Sequence, residues 1–331
     1  MSDPLPRVRS TPEDFRVEEV PLSRPEGSGE HLYLLLEKRG RDTEAVAKEL
    51  AQLAGVSAAE VGFAGRKDRK AVTRQWFSVP RVRAEEAREW ELEGCEVLEA
   101  HLGRHRLRLG ELQGNRFEIV VRDLEGEAAR RARDGLSELG RVGCPNLFGA
   151  QRFGRRGDNA RLGAALLRGE AVGGGRRHQR FLISALQAAV FNEVLRQRPW
   201  PYFHLVPGDL AFHHLSGRLE PVRGEEAGSE RLEAFRVSPS GPLFGSKMRA
   251  AGGAVKELED KVLAGFQVES FEPRSLPRGL RLYGERRPLR MVLKDASAEL
   301  SEAGLVLRFT LPPGGFATTV LDQLLPGGYR Q

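Results

Sequence analysis

Apolar and polar positions recur along this chain at periods that define its elements. Residues 31–38, HLYLLLEK, form an apolar, strand-like run. Asp42 or Thr43 then caps a helical stretch that continues through Leu53 and closes at Gly55. Between Arg104 and Leu124, RHRLRLGEL alternates basic and apolar residues, Gln113-Gly114-Asn115 carries turn chemistry, and RFEIVVRDL alternates again. That pattern predicts a hairpin or strand pair with one basic face. Gly126 to Gly140 is helical in pattern, and a Gly- and Arg-rich stretch with few strand signals follows from Gly143 to Arg180, so a boundary is expected near residue 143. Gln179 to Arg198 places Leu182, Leu186, Ala189, Val190 and Val194 on one face, the signature of a core helix. Residues 199–253, rich in Pro and Gly, predict a loop-heavy region. From Arg290 the earlier style returns: GLVLRFTL alternates, PPGG breaks the chain, and FATTVLDQLL forms a terminal helix. The two ends resemble each other more than either resembles the middle. This predicts one domain interrupted by an insertion of roughly 150 residues, an ordinary domain size.

Composition narrows the function. With 331 residues, 40% of them hydrophobic, the chain can build two globular cores and is not expected to be disordered. No apolar run approaches the roughly 20 residues that cross a bilayer, and MSDPLPRVRSTPEDF lacks the apolar core of a signal peptide. The expected setting is the cytoplasm, with no membrane partner. Two cysteines, Cys95 and Cys144, cannot make a disulfide framework and lack zinc-site spacing. Fifty-two basic against forty-six acidic residues give a net charge of +6, which favours a polyanionic partner, nucleic acid first.

The densest polar cluster on an apolar background is VGFAGRKDRKAVTRQWFSV, Val61 to Val79. Gly62 and Gly65 permit a tight turn, Lys67 and Asp68 sit at it, and Thr73, Gln75 and Phe77 alternate into a strand. One carboxylate thus lies among Arg66, Lys67, Arg69 and Lys70. It is either part of a solvated turn with weak surface ion pairs or a carboxylate held ionised for attack, flanked by cations that also hold phosphates. The cluster is not a phosphate loop, since the upstream Gly and the Ser or Thr after Lys are missing. His101 and His105 have no carboxylate or cysteine to complete a metal set, and adjacent His213 and His214 would face opposite sides of a strand. No metal site is expected. Phe15, in TPEDFRVEEV, and Phe316, in PPGGFATT, either fill minor core positions or stack on an unstacked base. Asn115 either eases a left-handed turn or offers its amide to a base edge or a catalytic carboxylate.

These segments together resemble the TruD family of tRNA pseudouridine synthases, along nearly the whole chain. AGRKDRKAVTRQ, Ala64 to Gln75, is similar to the family signature, and PEDFRVEE, GNRFEI, PNLFGAQRFG and LPPGGFATTVL match in the same order. The resemblance implies that Asp68 is the nucleophile and Lys67 its basic neighbour. It also implies that Phe15, Asn115 and Phe316 bind substrate, that Phe117 is an active-site aromatic and that Arg9 occupies a basic position. Leu147 departs from the family, which usually has an aromatic there.

The implied architecture is α+β: a pseudouridine synthase fold, a mixed sheet with helices, interrupted by an α/β insertion domain of the TRUD type. Residues 1–142 and 292–331 would form the discontinuous catalytic domain and 143–291 the insertion. The implied reaction isomerises uridine to pseudouridine, with uridine 13 in the D arm of tRNA as the family's usual bacterial target, and needs no cofactor. The competing reading is a non-catalytic RNA-binding module in which Asp68 is structural. A metal-dependent nuclease would need clustered carboxylates that Asp68 lacks in sequence.

Overall fold

The computed structural model describes residues 5–268 and 280–331, so the first four residues of the amino-terminal segment lie outside it. In chain order the elements are β1 (Arg7–Val8), β2 (Phe15–Pro21), β3 (His31–Arg39), α1 (Thr43–Leu53), β4 (Gly62–Phe63), β5 (Val72–Pro80), α2 (Ala84–Arg88), β6 (Cys95–Gly103), β7 (Leu112–Arg122) and α3 (Gly126–Val142). Then come β8 (Cys144–Pro145), α4 (Asn159–Leu167), α5 (Arg176–Gln197), β9 (Leu210–His213), β10 (Leu219–Pro221), α6 (Glu230–Glu233), β11 (Val237–Leu243), α7 (Gly253–Gly265), β12 (Glu285–Pro288) and β13 (Arg290–Met291). The chain ends with β14 (Lys294–Ser301), β15 (Gly304–Leu311) and α8 (Ala317–Leu324). It forms two compact units, Met1–Gly140 with Leu293–Gln331, and Arg141–Val292.

The first unit is built on a sheet ordered β14-β15-β7-β2-β5-β3-β6, with β1 added to β7 and β4 to β5. β2 and β5 run parallel while the remaining pairs are antiparallel, so the sheet is mixed and the architecture α+β. Residues opposite in register share a face, and in β2 and much of β7 burial alternates between the two faces, whereas β5 is buried on both. One face carries Phe15, Val17, Leu34, Leu36, Phe77, Phe117, Ile119, Leu307 and Phe309, all buried. Over it α1 packs Val46, Ala47, Leu50 and Ala51 against Leu34, Leu36 and Phe77. Asp42 caps that helix, its carboxylate accepting the Ala45 N–H at 2.9 Å. The other face is a lattice of exposed ion pairs, among them Arg74–Glu37 at 2.9 Å and Arg308–Glu118 at 2.7 Å, each worth at most about 1 kcal/mol.

One expected feature is corrected. Gln113-Gly114-Asn115 is not a turn: β7 runs straight through it, pairing Asn115 with Glu19 on one side and Leu311 on the other. Gly114 serves close approach instead, because a Cβ there would lie 2.3 Å from the Leu311 carbonyl oxygen. The alternating RHRLRLGEL is a segment connecting β6, which pairs with β3, to β7.

In the second unit α5 buries Leu182, Leu186, Val190 and Val194 against Phe244 and Val262, as its spacing predicts, while Ala189 of the expected face is only half-buried. The region expected to be loop-heavy holds β9, β10 and β11, three strands of a four-stranded sheet ordered β10-β9-β11-β12. Pro239 and Pro242 lie inside β11, where they remove ladder donors and hide the strand from a propensity reading. Buried arginines brace this unit: Arg198 pairs with Asp209 at 2.6 Å and Arg286 with Glu259 at 2.8 Å, while Arg290 donates to three backbone carbonyls. Among the described residues no helix is long and apolar enough to cross a membrane.

Candidate active site

Residues 64–71 connect β4 to β5 and carry the cationic cluster. Buried polar side chains fix this loop from below. The Lys67 N–H donates to the Thr43 hydroxyl at 2.9 Å, that hydroxyl donates to Gln75 Oε1 at 2.9 Å, and Gln75 Nε2 donates to the Gly65 carbonyl. The Lys67 ammonium turns inward and pairs with Glu19 Oε2 at 2.6 Å, with both side chains nearly sealed from solvent. Gly65 has no side chain because Lys67 Nζ passes 3.2 Å from where a Cβ would be. Glu19 Oε1 accepts the Trp76 N–H at 3.3 Å. Burial pushes the Glu19 carboxyl up from its ordinary range, and the Lys67 ammonium partly offsets this. Beyond Asp68 the loop is held again, by Arg69 Nε donating to the Gly40 carbonyl at 3.1 Å.

Asp68, between these two anchors, is the residue the loop presents: its side chain is 61% exposed. Arg9 Nη2 donates to its Oδ2 at 2.8 Å, and among the described residues no other group bonds the carboxylate. Arg9 is well placed to do this. Its own backbone sits in the left-handed region at φ 63°, and the strand before it is tied to the chain end through Val8 N–H to the Arg330 carbonyl at 2.8 Å. The guanidinium lies 3.8 Å from the Phe15 ring centroid, a cation–π contact. Phe15 meets Phe117 edge-on at 6.1 Å, and Phe117 stacks on Phe309 at 5.5 Å. A rigid aromatic column therefore backs the cation that holds Asp68.

This geometry revises two roles. Phe15, at 2% exposure, is a core residue with no face for a base; it supports Arg9 because its position is the first inward one of β2. Lys67 is bonded to Glu19 and not to Asp68, whose cationic partner is Arg9. Arg66 likewise turns away, to Glu44 at 2.7 Å. Phe117 is buried in the column. Asn115 stands opposite Glu19 in register, and its buried side-chain oxygen has no hydrogen-bond partner among the described residues. Phe316, the residue before α8, is 43% exposed after the PPGG turn. It does not join the column.

Sequence reasoning missed Glu19, Thr43, Gln75 and Lys38. Three of them sit at inward positions of strands that are otherwise apolar, the signal that could have found them. Lys38 is opposite Thr73 in register and 1% exposed, its ammonium donating to the Arg41 carbonyl at 2.7 Å. Burial pulls it down to about 8. The histidines do not converge: His213 faces Glu220 at 2.8 Å and His214 faces Ser238 at 2.7 Å. Among the described residues no group of three or more His, Cys, Asp or Glu could hold a metal ion. What the loop offers chemically is one exposed carboxylate, steadied through Oδ2 and with Oδ1 accessible, an arrangement suited to nucleophilic attack.

Comparison with known proteins places this geometry in context. The family model described as tRNA pseudouridine synthase D (TruD) matches residues 5–173 and 175–324. The chain is 42% identical to the tRNA pseudouridine synthase D of Thermus thermophilus, over 96% of this chain and 88% of that protein. It is 37% identical to the protein of the same name from Geobacter metallireducens, over 97% and 95% respectively. A Methanosarcina mazei structure assigned as a tRNA pseudouridine synthase D shares the fold, with a TM-score of 0.79 at 24% identity over 98% of this chain and 94% of that one.

Proposed function

The chain belongs to the tRNA pseudouridine synthase D family, and from that premise we propose that it isomerises uridine 13 in the D arm of tRNA, with Asp68 as nucleophile. The observation that carries this reading is the presentation of Asp68: an exposed carboxylate on a loop pinned on both sides, by Lys67 to Glu19 and by Arg69 to Gly40. A uridine in folded tRNA must leave its stack before a side chain can reach it. Asp68 Oδ1 then attacks C6 of the uracil or C1′ of the ribose, or promotes elimination at the sugar. The glycosidic bond to N1 breaks, the base turns, C1′ bonds to C5, any bond to Asp68 breaks to return the free carboxylate, and the C5 proton is lost to solvent while N1 takes one up. Atoms and charge balance without a redox partner or cofactor.

The remaining residues divide the other tasks. Arg9 holds Oδ2 so that Oδ1 faces substrate, and Lys67 sets the backbone position of its neighbour. Asn115 offers an unpaired amide oxygen to an N–H donor of the substrate, and Phe316 offers an exposed ring for stacking. We assign catalysis to the unit formed by the chain ends and substrate affinity to the insertion, in which Arg155, Arg156, Arg176 and Arg177 are exposed. The test uses unmodified tRNA tritiated at uridine C5. Tritium should be released from tRNA with uridine at position 13 and not from tRNA with cytidine there. Equal release from both would overturn the position, and release from neither would overturn the reaction.

A further inference from the structure

A second cluster of positive charge lies in the Arg141–Val292 unit, around the ring of Phe148 in the segment PNLFGAQRFG. Its backbone is fixed: buried Asn192 on α5 accepts the Phe148 N–H at 2.8 Å and donates to the Phe148 carbonyl at 2.9 Å. Two guanidinium groups meet this ring. The Arg287 Cζ is 4.3 Å from the ring centroid and the Arg152 Cζ 5.4 Å. Burial and the charge of Arg152 together pull Arg287 down to about 10.

Of the other buried arginines in this unit, Arg198 is neutralised by Asp209 and Arg286 by Glu259, while Arg290 is satisfied by backbone carbonyls. Among the described residues Arg152 and Arg287 form no salt bridge: Arg152 donates to the Ser184 hydroxyl at 3.3 Å and Arg287 to the side-chain oxygen of Asn146. Among the described residues the buried Arg287 Nε–H has no acceptor. Leaving a buried cationic donor unsatisfied is costly, and an anionic acceptor would relieve the repulsion as well. Guanidinium forks match tetrahedral oxyanions by planar, paired donation. Phe181, 37% exposed, flanks Arg152 at 5.7 Å and gives an apolar wall beside the pair.

We propose that Arg152 and Arg287, supported by Phe148, form a site for one phosphodiester of the RNA substrate. The proposal rests on the RNA reading above and deepens it. The two arginines come from distant parts of the chain, and of the pair only Arg152 lies within the PNLFGAQRFG motif.

Binding of unmodified tRNA transcript to full-length protein, measured across a salt series, tests this. Arg152→Gln and Arg287→Gln should each lower the log-log salt slope by about one and raise Kd by roughly tenfold at moderate salt. Because both serve one phosphate, the double variant should lose little further slope. At saturating tRNA, tritium release should keep its wild-type kcat in all three. An unchanged slope in folded variants, or a double variant losing twice the slope of each single one, would overturn the shared site. Should Arg287→Gln fail to fold, Arg152→Gln and Arg152→Lys carry the test. The Lys variant should keep the slope while weakening binding, and a Gln slope equal to that of Lys would overturn the proposal. Inorganic phosphate that binds wild type without competing with tRNA would also overturn it, by assigning the site to a free anion. Failure of the underlying reading looks different: wild type would bind tRNA with a normal salt slope and release no tritium.

Discussion

The buried Glu19–Lys67 pair is the feature on which the position of Asp68 depends, and its replacement has a calculable signature. Glu19→Gln keeps shape and the acceptor for Trp76 N–H but leaves the Lys67 ammonium sealed without a counter-charge; Lys67→Met does the converse to Glu19. Breaking a buried pair from one side costs about 3–5 kcal/mol, since the surviving charge is uncompensated. Removing both charges together leaves one unsatisfied amide, about 1–3 kcal/mol. The double variant should therefore be no less stable than either single one, far from the sum. Native-state hydrogen exchange of the β2 and β5 amides reads this directly, because β2 carries Glu19 and β5 carries Trp76, its backbone donor. In Lys67→Met turnover should also fall by about 100-fold without vanishing, as a displacement near 1 Å at Asp68 suffices for that. Additive losses, or single variants that exchange like wild type, would refute the argument. Asp68→Asn provides the contrast: its ion pair with Arg9 is exposed and worth at most about 1 kcal/mol, so stability should hold.

Lys38 yields a pH dependence. Its folded value near 8 lies below the ordinary 10.5, so between those values the unfolded chain binds more protons and stability rises with pH. In urea unfolding, wild type should therefore gain on Lys38→Met by roughly 3 kcal/mol from pH 7 to 10.5, and a constant difference would show that Lys38 titrates normally. Phe316→Ala should slow turnover on folded tRNA by the roughly 1–3 kcal/mol typical of a base stack, whereas Phe316→Tyr keeps most activity; Ala turning over like wild type would remove Phe316 from the substrate site.

Strong periodicity made much of the fold legible: α1 with its Asp42 cap, the core face of α5, and the closing strand and helix all follow their sequence patterns. Gln113-Gly114-Asn115 misled because turn residues also occur where backbones crowd, and only the tertiary fold places Leu311 against Gly114. The Pro-containing β11 misled in the opposite direction. Within the site, the loop around Asp68 was visible as a cationic cluster, but the pairing of those cations was not. Lys67 and Arg66 lie next to Asp68 in sequence and face other carboxylates, while the cation that does meet it, Arg9, is 59 residues away. Such pairings depend on which strands become neighbours. The inward polar positions Glu19, Gln75 and Lys38 were nonetheless written in the alternation, as polar residues on an apolar face.

Every route to pseudouridine proposed above begins at the Asp68 carboxylate, so the most direct test is tritium release by Asp68→Asn and Asp68→Ala from uridine-C5-tritiated tRNA, in preparations free of host enzyme. Both variants should fold, bind tRNA within a few-fold of wild type, a difference under about 1 kcal/mol, and release no tritium above background. Substantial tritium release by either folded variant would contradict the assignment of Asp68 as the nucleophile.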